Sequence, residues 1–302
     1  MISAFEPEFV GILRPTQSAT ASSQAFMTVN ATSFFDLAQG LREIGQRELL
    51  PRFEADIAVD YKADGSVITQ ADHAVDARVR ELLPRHGQRE PILSEEQARG
   101  EQARVLETAP AFWLVDPLDG TSNFAGGMPF FAISIARIEG DRVTHGATYD
   151  PVRDELFTAT QDTALELNAA NPPATTRPPV AELGRAIALV DYKRLDPPLA
   201  RELAAAAPFR SQRNLGACAL EWAWLAAGRA DLYLHGGQAP WDSAAGGLML
   251  ARAGGAMCCL DGGPVFGRSL AKRSAVAARS EALLADWRGW LSPWLATTES
   301  SP

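Results

Sequence analysis

Carboxylates recur in this chain where apolar runs give way to turns. Asp116 and Asp119 stand in Asp116-Pro-Leu-Asp-Gly-Thr-Ser122, directly after the run Ala111-Phe-Trp-Leu-Val115. Glu95 and Glu96 follow Pro91-Ile-Leu-Ser94, Asp242 opens Trp241-Asp-Ser-Ala-Ala-Gly246, and Asp72 lies three residues after Thr69. Hard divalent cations such as magnesium take carboxylates, carbonyls and water as ligands. Two carboxylates three residues apart, across a turn fixed by Pro117, can converge on one side. Asp116, Asp119 and the Leu118 carbonyl could therefore supply the protein ligands of one site. Gly120 and Thr121 add backbone N–H groups and a hydroxyl, which suit a phosphate oxygen.

Each segment taken singly also has a plainer role. A D-x-x-D pair often caps turns. Adjacent glutamates before a helix favour its positive end. Asp242 is a good N-cap for the helix that follows it, and Thr69-x-x-Asp72 is a variant of the capping box.

The elements that must position these acids are legible in outline. A first helix is expected near Ser33, with Asp36 three residues on and Phe34, Leu37, Leu41 and Ile44 at helical spacing. A second follows Thr69, with Ala71, Val75, Val79 and Leu82 as its apolar stripe and Pro84 as its stop. Between them, residues 61–66 read as a turn. Ala111–Val115 reads as a buried strand ending at Asp116-Pro117. Phe130–Ile138 and Val143–Tyr149 read as an antiparallel pair, with Glu155–Thr160 as an edge. Pro172, Pro173, Pro178 and Pro179 mark the best boundary between two halves. Beyond it, strands are expected at 186–190, 232–234, 256–260 and 275–278, and helices at 199–207, 217–227, 242–253 and 281–295. Short strands alternating with helices give an α/β or α+β architecture.

Bulk properties narrow the function. The 302 residues are 46% hydrophobic and 22% charged, enough for a sizeable core. The net charge of -9 argues against a general nucleic-acid binder. Cys218, Cys258 and Cys259 form neither a disulfide framework nor a zinc pattern and read as reduced, which suits the cytoplasm. Residues 1–31 read as an irregular leader, and Met1–Val10 lacks the basic start of a secretory signal. No apolar run approaches the roughly 18 residues that suggest a membrane span. There is no G-x-S-x-G elbow, and the Gly246-Gly247 and Gly254-Gly255 pairs are not a dinucleotide fingerprint.

Taken together and in order, Lys62-x-Asp64-Gly-Ser-x-x-Thr69-x-x-Asp72, Ser94-Glu-Glu96, Asp116-Pro-Leu-Asp-Gly-Thr-Ser122 and Trp241-Asp-x-Ala-Ala-Gly246 resemble the inositol monophosphatase superfamily over roughly residues 33–296. The resemblance implies an α+β fold, a layered αβαβα sandwich with two sheet-bearing halves. These would be residues 32–180, carrying most metal ligands, and 181–302, contributing Asp242 and substrate contacts. It implies two or three magnesium ions. Glu95, Asp116 and the Leu118 carbonyl would hold the first, Asp116, Asp119 and Asp242 the second, and Glu95 with water a third. Thr121 and Asp72 would orient and activate the attacking water, with no phosphoenzyme. Asp119, Gly120, Thr121, Gly216, His235 and Asp242 would face the substrate, a small phosphorylated metabolite. A cytoplasmic homodimer, sensitive to lithium and bound to neither nucleic acid nor membrane, completes the expectation.

The chain departs from the inositol-specific pattern in two places. Those enzymes carry a Glu seven residues before the last Asp, to hold a ring hydroxyl, and here that position is His235. Ser94 replaces the familiar Gly before the paired glutamates. The Asp64-Gly65-Ser66 turn and Leu93–Glu96 look closer to the branch that hydrolyses 3'-phosphoadenosine 5'-phosphate or histidinol phosphate. A second phosphate would want cations, for which Lys193, Arg194, Arg210 and Arg213 are available. A non-catalytic regulator on the same fold is a further alternative.

Overall fold

The computed structural model describes residues 31–53, 59–61, 67–86, 88–170 and 180–295. Most of the turn at 61–66, including Lys62 and Asp64-Gly65-Ser66, falls outside them, as do the leader and the proline-rich segment 171–179.

In chain order the elements are α1 (Ala31–Ile44), a π-helical turn at Gly45–Leu49, α2 (Leu50–Phe53), β1 (Val59–Tyr61), β2 (Val67–Thr69), α3 (Gln70–Arg85), β3 (Ile92–Ser94), α4 (Arg99–Thr108), β4 (Ala111–Asp119) and α5 (Thr121–Ala125). Then come β5 (Ala132–Glu139), β6 (Arg142–Asp150), β7 (Glu155–Thr160), β8 (Glu166–Leu167), β9 (Ile187–Asp191), α6 (Pro197–Ala206), β10 (Ser211–Arg213) and α7 (Cys218–Ala226). The last are β11 (Leu232–Gln238), α8 (Pro240–Arg252), β12 (Ala256–Cys258), β13 (Arg273–Ala278) and α9 (Glu281–Leu291). Strands β3-β4-β5-β6-β7-β8 form a six-stranded sheet and β10-β9-β11-β13-β12 a five-stranded one.

Side-chain alternation along the strands explains the layering. Trp113 and Val115 of β4 and Ile133 and Ile135 of β5 pack with Phe34, Leu37 and Leu41 of α1 and Val75 and Val79 of α3. Phe112, Leu114, Ala132 and Ala136 point the other way, into a core shared with Leu220, Trp222, Met249 and Leu250 of α7 and α8 and with Tyr233, Ala275 and Ala277 of the second sheet. The opposite residues of that sheet, Leu232, Leu234, Val276 and Ala278, pack with Leu199 and Leu203 of α6 and Leu283 and Trp287 of α9. The result is a helix–sheet–helix–sheet–helix sandwich, as the resemblance implies. Among the described residues no helix is long and apolar enough to cross a membrane.

Several expectations shift. Strand β4 does not stop at Asp116-Pro117 but runs to Asp119, because the ladder to β5 changes register between Asp116 and Asp119. A bulge leaves a residue unpaired, so a proline without an N–H is tolerated there. In α3 the buried residue is Leu83 rather than Leu82, and Pro84 lies inside the last turn. Strand β11 extends through His235 to Gln238, so His235 is a strand residue rather than a loop one. Helix α8 begins at Pro240, which puts Asp242 at its third position rather than at its cap. The strands β3 and β10 are three residues each, and the helix α4 has no strong apolar periodicity.

The glycine of the last motif is a packing device. A Cβ on Gly246 would lie 2.2 Å from the Trp222 Cβ, so α7 and α8 meet backbone to side chain there. Gly246→Ala should lower stability by about 1–3 kcal/mol, the usual cost of overpacking. An unchanged thermal unfolding midpoint would show that the two helices can separate freely.

Candidate active site

The five acids arrive from four parts of the chain, and each is delivered by a specific piece of geometry. Asp72 comes from the first turn of α3. Its Oδ2 accepts the Thr69 N–H and the Thr69 hydroxyl, both at 2.7 Å, so the capping box holds the carboxylate rigidly. Its Oδ1 is left facing the Thr121 hydroxyl at 3.1 Å. That hydroxyl also lies 2.9 Å from the Leu118 carbonyl. It has a single proton, so it donates to one of these acceptors at a time.

Glu95 is set by sheet register. Strand β3 runs parallel to β4, with Ser94 opposite Val115, and the Glu95 N–H continues the ladder by donating to the Val115 carbonyl at 3.0 Å. Glu95 therefore comes alongside Asp116. Gln102 of α4 secures the corner by donating to the Ser94 carbonyl at 2.8 Å.

The bulge in β4 aims the central pair. Asp116 Oδ1 accepts the Leu118 N–H at 3.2 Å. Asp119 Oδ2 accepts the Leu220 N–H at 2.9 Å, at the start of α7 in the helix layer between the two sheets. Gly120, with φ of +83°, turns the chain into α5. A Cβ there would meet Ala217 Cβ at 2.8 Å, so only glycine allows this close approach. Asp242 completes the group from α8, its Oδ2 accepting the Ala239 N–H at 2.9 Å.

Electrostatics ties these side chains to one another. Asp72, Asp116 and Asp119 are buried, whereas Glu95 and Asp242 keep part of their surface accessible. The Asp116 carboxyl is pushed well above the usual carboxylate range, first by burial and then by the charges of Glu95, Asp119, Asp242 and Asp72. Burial also raises Asp119 to about 7, with Glu221 and Glu95 adding to the rise against the Leu220 and Cys218 backbone hydrogen bonds. Asp242 is pushed up to about 8 by burial and by Glu95 and Asp119, against a lowering contribution from Lys272. Among the described residues no basic side chain forms an ion pair with Asp116, Asp119 or Asp242.

Buried carboxylates with no cationic partner are costly, and a bound cation removes that cost. The donor set is all oxygen, which fits a hard ion such as magnesium and not a soft one. Yet among the described residues no three acids stand close enough together to form a closed metal cage.

The expected substrate residues divide. Gly216, with φ of +77°, lies beside this group, because the adjoining Ala217 abuts Gly120. His235 is buried and both ring nitrogens are engaged. Nδ1 accepts the Gly237 N–H at 3.1 Å, and Nε2 lies 3.4 Å from Asp191 Oδ2. An Nδ1 that accepts leaves the proton on Nε2, directed at Asp191. Its ring is thus committed to the protein.

Two residues at the site were not singled out from sequence. Asn123 Nδ2 donates to the Phe130 carbonyl at 2.8 Å and to the Leu215 carbonyl at 2.7 Å, pinning the Gly120 turn to the Gly216 turn. Glu221 Oε1 accepts the Leu215 N–H at 2.6 Å and the Gly216 N–H at 3.3 Å. The signal for Glu221 was present: it is the lone charge in the apolar helix Cys218-Ala-Leu-Glu-Trp-Ala-Trp-Leu-Ala226. Trp222 is core, its Nε1 donating to Gln238 Oε1 at 3.1 Å, while Trp224 sits at the rim with Arg153 and Arg229 at its ring.

The model of the inositol monophosphatase family matches residues 31–289. Nus factor SuhB of Pseudomonas aeruginosa is 34% identical over 222 residues, covering 70% of this chain and 78% of the relative. Inositol monophosphatase 1 of Solanum lycopersicum is 32% identical over 203 residues, 66% of this chain and 74% of the relative. The crystal structure of the extragenic suppressor protein suhB from Bartonella henselae superposes with a TM-score of 0.72 at 26% identity, covering 88% of this chain and 99% of that one. The chain belongs to the inositol monophosphatase family of magnesium-dependent, lithium-sensitive phosphomonoesterases.

Proposed function

We propose that this protein hydrolyses the phosphate monoester of a small polyol or sugar, using magnesium held by Glu95, Asp116, Asp119, Asp242 and the Leu118 carbonyl. The observation that carries this reading is the position of Asp116, buried and pressed at once by Glu95, Asp119, Asp242 and Asp72. When bound, magnesium supplies positive charge to the phosphoryl oxygens and makes water more acidic. The protein's own part is positional. Thr121 presents its hydroxyl oxygen to the attacking water and passes its proton toward Asp72 Oδ1, 3.1 Å away. Asp72 takes the proton without moving, because its other oxygen is fixed by Thr69. Backbone N–H groups following Gly120 receive the phosphate, and Asp119, Asp242 and the Gly216 turn line the leaving-group side. Attack is in line, with no phosphoenzyme. A homodimer and a cytoplasmic location come with the family reading alone.

A second reading differs in substrate only. With His235 committed to Asp191, no side chain at that position is free to hold a ring hydroxyl. Lys272 places a positive charge near Asp242. Both favour an ester with another anionic group, such as 3'-phosphoadenosine 5'-phosphate; histidinol phosphate, whose second charge is an ammonium, is the remaining ester of this alternative. Magnesium-dependent phosphate release from these esters and from inositol 1-phosphate separates the readings. No release from any ester of a broad panel would instead favour a non-catalytic regulator.

Asp116→Asn should lower kcat/KM by more than about 100-fold, beyond the roughly 10–100-fold lost with residues that only support a metal ligand. It should leave the far-ultraviolet circular dichroism unchanged, and near-normal turnover would count against the assignment. Lithium should inhibit turnover, measured at fixed magnesium, and insensitivity would point to a divergent branch of the family.

Stability should also depend on pH in a definite sense. Asp119 and Asp242 hold their protons up to about 7 and about 8 in the fold, against about 4 in the unfolded chain. The folded state therefore binds more protons between these values, and its stability falls as pH rises through that window. In chelator, the unfolding temperature should be lower at pH 8.5 than at pH 5.5, and magnesium should restore it at pH 8.5. A flat profile, or one that Asp242→Asn leaves unaltered, would refute this origin.

A further inference from the structure

We propose that Glu221 is a positioning residue for substrate binding, holding the Leu215–Gly216 turn against the acidic site. The proposal rests on the phosphatase reading above and concerns how the leaving-group side of that site keeps its shape. Glu221 is 3% exposed, and its Oε1 is shared by the Leu215 and Gly216 N–H groups at 2.6 and 3.3 Å. No basic side chain pairs with it among the described residues, so these backbone donors are what compensate a buried carboxylate. The turn they belong to needs a fixed geometry. Gly216 has φ of +77°, and a Cβ there would meet Asn123 Oδ1 at 3.0 Å.

The same turn of α7 performs two tasks. Leu220 donates its N–H to Asp119, and the next residue, Glu221, folds back to hold the Leu215–Gly216 backbone. Asn123 grips that backbone from the opposite side, through the Leu215 carbonyl. Ala217 then rests on Gly120. A loosened turn would thus shift the substrate wall relative to Asp119 while the Thr121–Asp72 pair, on another element, stays in place. The expected signature is weaker substrate binding with the chemical step largely preserved. The carboxylate is needed as an acceptor and not for its charge, so an amide oxygen can replace it.

The test compares Glu221→Ala with Glu221→Gln, using inositol 1-phosphate at saturating magnesium and, in parallel, backbone hydrogen exchange of the 215–216 segment. Glu221→Ala should raise KM about 10-fold, the scale of leaving buried backbone donors unsatisfied, with kcat changed less than about 3-fold. Its 215–216 amides should exchange faster. Glu221→Gln should keep KM within about 3-fold of the parent and the amides protected. An unchanged KM in Glu221→Ala, an equal fall in kcat, or a loss in Glu221→Gln as large as in Glu221→Ala would overturn the proposal. Should Glu221→Ala fail to fold, Glu221→Gln decides alone: parent-like KM supports the role, and a raised KM refutes it. A parent enzyme inactive on every ester would defeat the phosphatase reading, while the exchange measurements would still tell whether Glu221 holds the turn.

Discussion

Carboxylates taken out of water lose their hydration, their mutual repulsion adds to that cost, and these two effects together constrain the site. Asp116 sits in the field of Glu95, Asp119, Asp242 and Asp72 with no basic partner among the described residues. A fold that brings such groups together loses stability unless they bind protons or cations. The upward displacement of Asp119 and Asp242, caused first by burial, is in the direction of the first compensation. The all-oxygen donor set is suited to the second.

Rigid elements are what make this possible. An acid on a loop would swing away from its neighbours, whereas each of these is fixed by at least one backbone device. The capping box fixes Asp72, the parallel register of β3 on β4 fixes Glu95, and the N-terminal turn of α8 fixes Asp242. The bulge at Pro117 turns β4 so that Asp116 and Asp119 both serve one region. The buried face of the same strand, through Trp113 and Val115, anchors the pair in the outer core. Catalytic geometry and core packing thus share one strand, which is why the site can remain acidic without falling apart.

The second half of the molecule contributes shape more than charge. Helix α7 carries the N–H that holds Asp119 and the carboxylate that holds the Gly216 turn. Strand β11 carries His235, whose contact with Asp191 ties β11 to the end of β9. Small residues make the approach of these parts feasible. Gly120 admits Ala217, and Gly236 admits the Arg194 carbonyl so closely that any Cβ would collide with it.

Much of this was legible in the residues alone. Periodicity located α1 and α3, helices were expected where α6, α7, α8 and α9 lie, and the acidic segments marked Glu95, Asp116, Asp119 and Asp242, because a metal-binding donor set has to be written in side-chain types. The bulge in β4, the length of β11, the short strands β3 and β10 and the roles of Asn123 and Glu221 were not legible. Most depend on pairings between residues distant in sequence, such as Leu215 with Asn123 and Ala132 with Asp119, and Glu221 on a turn five and six residues upstream whose shape the sequence does not announce. Composition and spacing determined what chemistry the chain can offer. Only the tertiary structure decided which acids feel one another's charge, and that His235 spends both its nitrogens on the protein, because burial and contact are properties of the assembled chain.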